Sequence, residues 1–405
     1  MIAACEMCVG SARSSKCSTT SDVVGYRRAF AGIRSIRLPS HTPRLRSGHV
    51  RGRREKPTRA MSLRYIGSKS RLASVLVDLI GPPKATQRLV DGFCGTGAVS
   101  LAALDAGWRR FLLNDALLSA GTMAFARLTS QRQAPFDGVD GYEEVIRYLN
   151  SLEPDPGFIA HTYSPLSLAN CDVERKYFSE ENASRIDAIR RSIEDLLAVG
   201  DVTEVEYRVL IADLLQATNA VANTAGTYGC FLRDWTSVAL KPLRLKPREL
   251  LRLDTEVTLE IGDVNSLRTD PTDVVYLDPP YTKRQYAAYY HILESIAYGD
   301  APEVSGVTGL RPWRHNASVF CYSRLAQDAV TDLLLRIAGS RVFMSYSSDG
   351  FVDLSELVGV LQAKGETARL CAIQEIGRYR PNRVAGEQAA VQEWLVAINR
   401  EDVSG

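Results

Sequence analysis

The stretch that most limits what this chain can become is Asp273-Val274-Val275-Tyr276-Leu277-Asp278-Pro279-Pro280-Tyr281. The short apolar run from Val274 to Leu277 reads as a buried parallel strand, since a strand covered on both faces is apolar throughout rather than alternating. It ends in a carboxylate, two prolines and an aromatic. Strand ends of this kind are where open α/β sheets bind ligands and do chemistry. An α/β fold is the first expectation.

The chemistry of that strand end follows from its residue types. Two prolines fix φ and remove two backbone donors, so the Pro279 carbonyl can stand beside the Asp278 carboxylate with no N–H competing, and Pro280 keeps the turn rigid. Two acceptors then face one place. An exocyclic amine of a nucleobase has two N–H donors, and bonds to both would leave its lone pair available. Tyr281 offers a stacking face for a base drawn out of a helix. A plain turn after a strand is the competing reading of the same four residues.

Upstream, Arg88-Leu89-Val90-Asp91-Gly92-Phe93-Cys94-Gly95-Thr96-Gly97 runs from a strand through a glycine-rich turn into a small-residue helix, the first β-turn-α of a Rossmann-like unit. The pattern Gly95-x-Gly97-x-x-Ser100 lacks the third glycine of the dinucleotide fingerprint, and no Lys-Ser or Lys-Thr follows Gly97 as a P-loop would require. A second strand, Arg110 to Asn114, ends in Asp115, placed to accept ribose hydroxyls, while Asp91 is placed to hold an ammonium group. A third strand, Val257 to Ile261, brings Asp263 to where it can accept from an adenine amine. Such an arrangement suits an adenosine carrying an amine and a carboxylate, as in S-adenosylmethionine; a nicotinamide dinucleotide is the rival. Tyr65 and Lys69, beside the Gly67 turn and before a helix running to about Ile80, can face a carboxylate, with Ser68 or Ser70 as its cap. The competing reading is an ordinary capped helix start.

Charge is distributed unevenly. Residues 1–60 hold 13 Lys and Arg against three acids, whereas the remaining residues hold 36 against 44. The basic leader has no sustained hydrophobic period. A transit peptide and a nucleic-acid-holding tail are two readings of it; the one favoured is sequence upstream of a true start at Met61. An acidic body that binds nucleic acid must concentrate its positive charge locally. Two places do so. One is the loop Asn223 to Trp235, with Tyr228 and Arg233, followed by Lys241, Arg244 and Lys246; the other holds Lys283 and Arg284, then Arg311, Trp313 and Arg314 in the loop from Gly306 to His315. A solvated face is the bland alternative. Residues 116–255 are otherwise helical, with an apolar face of Ile186, Ile189, Ile193, Leu196 and Leu197 and a capping box of Thr203 and Glu206 opening a helix to about Ala222. A fifth strand, Arg341 to Tyr346, and two more near Leu370 to Ile376 and Glu393 to Ile398 complete the sheet, the last two as an edge hairpin.

Cys5 and Cys8 form a lone C-x-x-C, and no second pair follows at ligand spacing, so no metal site is expected. Scattered cysteines fit free thiols in a reducing cytoplasm. No run of about 18 apolar residues marks a membrane span.

Five segments, Tyr65-Ile66-Gly67-Ser68-Lys69, Asp91 to Gly97, Asn114-Asp115, Gly262-Asp263 and Asp278 to Tyr281, stand in the order of the alpha group of adenine-N6 DNA methyltransferases, the Dam-like class, which this chain resembles over residues 62–400. That resemblance implies a Rossmann-like S-adenosylmethionine-dependent methyltransferase domain of residues 61–115 and 256–405, with a helical target-recognition insert at 116–255. Tyr65 and Lys69, Asp91, Phe93, Gly95 and Gly97, Asp115 and Asp263 would hold the cofactor, and Asp278, Pro279, Pro280 and Tyr281 would be catalytic on adenine N6 of double-stranded DNA. A restriction-modification role, with a cognate restriction endonuclease as partner, or epigenetic marking is implied. Cytosine-N4 transfer, RNA adenine methylation and a silent DNA-binding module are the alternatives. A cytosine-C5 enzyme needs a Pro-Cys nucleophile, and the sequence has none.

Overall fold

Among the described residues seven strands form one sheet in the order β3-β2-β1-β4-β5-β7-β6. They are β1 Leu89–Asp91, β2 Arg110–Asp115, β3 Glu256–Ile261, β4 Val274–Leu277, β5 Arg341–Ser347, β6 Thr367–Gly377 and β7 Ala390–Asn399. The computed structural model describes residues 69–84, 86–377 and 390–401, so Tyr65, Ser68 and the basic leader fall outside it. Strands β1 to β5 run parallel, and β7 lies antiparallel between β5 and β6. The two final strands are longer than the sequence pattern implies, and they form the expected edge hairpin.

The order turns back at β1, which pairs with β2 on one side and β4 on the other. The crevice at such a switch point is where a doubly wound sheet binds its ligand. Here it is bounded by the carboxyl ends that carry Asp91 and Asp278.

Burial follows the strand period of two. Val90, Val275, Leu277, Val342 and Met344 pack on one face beneath the helices Ala326–Arg336 and Leu354–Ala363. Leu89, Phe111, Leu113, Val274, Tyr276 and Phe343 pack on the other, beneath Ala73–Ile80 and Ala98–Asp105. All four residues of β4 are buried, at about 1.5–3 kcal/mol for each large aliphatic side chain. The helix Ala73–Ile80 follows a single 3-10 turn, Lys69–Arg71, and its N-cap position is Leu72 with no side-chain cap, so Ser70 does not fill the expected capping role. Thr203 and Glu206 do form their capping box at the start of Glu204–Ala220.

The helix Leu118–Arg127, at the head of the segment 116–255, lies on the sheet. A Cβ at Gly121 would sit 2.6 Å from a methyl of Ile261 on β3, which shows how closely the helix approaches. The helices Tyr142–Ser151, Glu180–Ala198 and Glu204–Ala220 share a hydrophobic core with Leu117, Ala120 and Met123 and with Ile292, Leu293 and Ile296 of His291–Tyr298. The helical segment is therefore joined to the sheet layer by continuous packing.

Candidate active site

The turn after β1 is built by glycine. Gly95 and Gly97 have φ of +51° and +77°, in the left-handed region that side chains avoid. A Cβ at Gly97 would stand 2.9 Å from Ala124 Cα, so the turn also needs the space. Asp115, at the end of β2, ties this turn to the next element: Oδ2 accepts from the Gly95 N–H at 2.8 Å and Oδ1 from the Leu117 N–H at 2.9 Å. Burial pushes the Asp115 carboxyl up to about 6, although those backbone donors oppose the shift.

Asp91 is fully buried. Ser100 donates to Oδ2 at 2.6 Å, while Oδ1 has no partner among the described residues. Burial raises its carboxyl to about 7; the Ser100 hydroxyl opposes this and the charges of Asp278 and Asp115 add to it. Asn114 presents a second unpartnered buried acceptor, Oδ1. Both side chains line one cavity of about 200 Å³ with Phe93, Gly95, Asp263 and Asp278. A buried acceptor without a donor is costly, and a ligand with cationic or N–H groups would remove that cost. Asp263 is exposed at the rim, its Oδ1 accepting from the Asn265 N–H.

Asp278 sits at the cavity's other side. Lys69 Nζ stands 2.6 Å from Asp278 Oδ1, and the Ser345 hydroxyl donates to the same oxygen at 3.2 Å. Among the described residues both donors thus converge on Oδ1 and leave Oδ2 open to the cavity. The same ammonium lies 3.1 Å from Glu393 Oε1 on β7 and 5.4 Å from the centre of the Tyr281 ring. Burial works against the Lys69 charge, yet the carboxylates of Asp278 and Glu393 more than offset it and its pKa is raised. Lys69 therefore faces the carboxylates of Asp278 and Glu393 and also lines the cavity. Asp278 follows the end of β4 and Glu393 lies within β7 opposite Ser347, and the two meet over one cation.

Pro279, Pro280 and Tyr281 line the cavity, and Tyr281 packs edge-on to Tyr346 at 5.8 Å. Of the far wall only His315 falls within a segment that the sequence marks. It comprises His315 to Phe320, with Phe320 edge-on to Phe93 at 5.6 Å, and Tyr286 also lines the cavity. Gln285 fastens that wall: it donates to the Ser318 carbonyl at 3.1 Å and accepts from the Ser318 N–H at 2.8 Å.

The expected DNA-contact residues divide. Arg233, Lys241, Arg244, Lys246, Lys283, Arg284 and Arg314 are exposed. Tyr228 is not: it is 1% exposed in the aromatic core with Tyr177 and Phe178, its hydroxyl on Asn219, so it cannot meet DNA in this arrangement. Arg311 is held by both oxygens of Asp300 and by Ser295, and lies over the Tyr298 ring. Its loop is pinned as well, since Arg175 donates to the carbonyls of Gly306 and Val307 and Tyr163 to that of Gly309. The polar composition of that loop suggests mobility, and buried anchors override it.

The segment around Lys241 has a built geometry. Asn182 bonds the Lys241 carbonyl and the Leu243 N–H, and Asn150 bonds both backbone groups of Leu245. Leu243 and Leu245 are buried, so Lys241, Arg244 and Lys246 face outward along a fixed extended edge. Arg248 instead turns inward to Asp213. Among the described residues no group of three or more His, Cys, Asp and Glu could hold a metal, and no helix is long and apolar enough to cross a membrane.

Residues 65–343 match the family model described as D12 class N6 adenine-specific DNA methyltransferase. Among curated proteins, the chain is 32% identical to Type II methyltransferase M.FokI of Planomicrobium okeanokoites, over 84% of this chain and 53% of that protein. It is 34% identical to Modification methylase LlaI of Lactococcus lactis subsp. lactis, over 73% of this chain and 48% of the relative. With Type II methyltransferase M.NlaIII of Neisseria lactamica the identity is 32%, over 75% of this chain and 89% of the relative. The chain spans about half the length of the first two.

Proposed function

The chain belongs to the D12 class N6 adenine-specific DNA methyltransferase family, and from that membership we propose that it transfers a methyl group from S-adenosylmethionine to N6 of an adenine flipped out of double-stranded DNA. One observation carries the reading: Asp278, with its protein donors gathered on Oδ1, opens onto the same cavity as the glycine turn and the unpartnered Asp91 Oδ1.

The residues present suit the cofactor. Among the described residues Asp91 Oδ1 lacks a donor that an ammonium would supply, and Gly95 brings the backbone of the turn to the cavity lining. Phe93 offers an apolar wall and the exposed Asp263 an acceptor at the rim. When bound, S-adenosylmethionine supplies an electrophilic methyl: the N6 lone pair forms the new N–C bond while the C–S bond breaks with its electrons staying on sulfur. The protein's share is orientation and charge. Asp278 Oδ2 and the Pro279 carbonyl accept the two N6 hydrogens, Pro280 keeps that pair rigid, and Tyr281 stacks on the base. The Asp278 carboxylate favours the positive charge that grows on N6 before it sheds a proton to water.

Lys241, Arg244 and Lys246, with Arg233, Lys283, Arg284 and Arg314, would meet the phosphate backbone, and residues 116–255 would read the sequence. A restriction-modification role with a partner endonuclease, in a reducing cytoplasm, is the setting we propose; the relatives' names and the free cysteines Cys94, Cys171, Cys230, Cys321 and Cys371 support it.

The test is expression of the full chain in a host free of DNA methylation, with modified bases mapped by single-molecule sequencing. N6-methyladenine in one short motif is expected, and Asp278→Ala should abolish it while S-adenosylmethionine still binds. N4-methylcytosine, modified RNA or full activity of the Ala variant would overturn the proposal.

A further inference from the structure

The cavity wall from His315 to Phe320 touches both halves of the site. At one end Phe320 packs edge-on to Phe93 of the glycine turn. In its middle Ser318 is bound by Gln285, four residues beyond Tyr281 of the acceptor stretch. The wall itself is two 3-10 turns, Arg314–Asn316 and Val319–Cys321, joined through Ala317 and Ser318. Among the described residues, the hydrogen bonds that tie these turns to distant parts of the chain run to Arg284 and Gln285. The Cys321 thiol donates to the Arg284 carbonyl at 3.3 Å. Gln285 spends both ends of its amide on one residue: Nε2 donates to the Ser318 carbonyl at 3.1 Å, and Oε1 accepts from the Ser318 N–H at 2.8 Å. Gln285 is itself held in place. It is 8% exposed, and its carbonyl accepts from the Ala288 and Tyr289 N–H groups at the start of the helix Tyr286–Tyr289.

We propose that Gln285 is a positioning residue for methyl transfer, which locks the wall to the acceptor stretch and so fixes the spacing between the glycine turn and the Asp278 strand end. The inference rests on the adenine-methylating reading of this site. A planar amide has one donor end and one acceptor end, the complement of one residue's carbonyl and N–H. An ionised carboxylate keeps the acceptor and loses the donor, while Asn falls one methylene short. The Phe93–Phe320 ring contact carries no hydrogen bond, so the register of the wall depends on the amide. Transfer between two bound partners is sensitive to small displacements of one against the other. Loss of the lock should therefore show in turnover rather than in binding.

The experiment compares wild type with Gln285→Ala, which removes both bonds, and Gln285→Glu, whose carboxyl replaces both only while protonated. Methyl transfer to duplex DNA is measured at saturating and limiting concentrations over a pH series. Thermal melts and hydrogen exchange of residues 315–320 accompany it, each taken as a ratio to wild type at the same pH. Expected for the Ala variant is a kcat lower by about 10- to 100-fold, both KM values within about threefold, faster exchange along the wall and no trend of the ratio with pH. The Glu variant should stand near wild type at the acid end and fall toward the Ala variant as pH rises, because ionisation removes its donor and sets a charge against the Ser318 carbonyl. Burial raises such a carboxyl above the ordinary glutamate value of about 4.3, which brings the fall toward the assay range. Wild-type turnover in the Ala variant would overturn the inference, as would a loss confined to KM or a Glu variant whose ratio is flat with pH. If the Ala variant does not fold, the slope of the Glu variant decides alone. Wild type that transfers methyl groups to DNA adenine alongside an unimpaired Ala variant rejects the inference alone. Wild type with no transfer to adenine rejects the functional reading and this role with it.

Discussion

Asp91 shows how burial turns one side chain into a sensor of both pH and ligand. Its carboxyl is raised from the ordinary 3.8 to about 7, so the folded protein without ligand holds that proton more tightly than the unfolded chain does. Stability from this residue is therefore present in full below about pH 4 and is lost as pH rises toward 7. Cofactor affinity should run the other way, since only the ionised carboxylate pairs with an ammonium. Calorimetric titration should find S-adenosylmethionine binding tighter by up to about tenfold per pH unit on the approach to pH 7 from below, levelling off above it. Asp91→Asn should bind weakly and without that slope; a sloping Asn variant would assign the titration to another group. Much at this scale is legible in the sequence. Glycines with positive φ and acids at strand ends announce themselves because their chemistry is local. Tyr228 misleads because an aromatic between glycines looks the same in sequence whether it faces solvent or, as here, the Tyr177 ring. The link between Lys69 and Glu393 is invisible for a different reason: no local rule joins residues on a leading turn and a final strand.

Among the elements, the glycine turn and the helix it feeds are where space decides. Gly97→Ala should destabilise the fold by about 1–3 kcal/mol, because the added Cβ meets both a left-handed φ and Ala124 Cα at 2.9 Å. Thermal melts with and without S-adenosylmethionine check this. The melting temperature should fall, and the gain that cofactor gives wild type should shrink; an unchanged pair of melts would mean that the turn tolerates a side chain. Strands and their order of use are readable from apolar runs, since a parallel strand buried on both faces leaves an unbroken signature such as Val274 to Leu277. The wall from His315 to Phe320 is not, because it is held by Gln285 through backbone groups of Ser318, and backbone partners leave no trace in residue type.

Over the whole molecule, positive charge is scarce beyond the leader: 36 basic residues there face 44 acidic ones. DNA affinity should then depend on a few fixed cations. Replacing Lys241, Arg244 and Lys246 together by Ala should weaken duplex binding at low salt and lower the slope of log affinity against log salt by about 2–3, about 0.9 for each phosphate no longer neutralised. Fluorescence anisotropy across a salt series measures both. An unchanged slope would move the DNA to another face. Asn150→Ala should give a weaker form of the same defect, since the arginine and lysines would remain but the edge that aims them would be released.

The place of β7 in the sheet has a consequence for how the protein is made. Among the described strands β6 pairs with β7 alone, so it cannot join the sheet until its later neighbour has been synthesised and slotted against β5. A ribosome releases the glycine turn, the acceptor loop and Lys69 long before it releases Glu393. Because β7 lies between β5 and β6, a chain released only as far as β6 would have neither its edge hairpin nor Glu393 beside Lys69, and the described site would close only once β7 had slotted in.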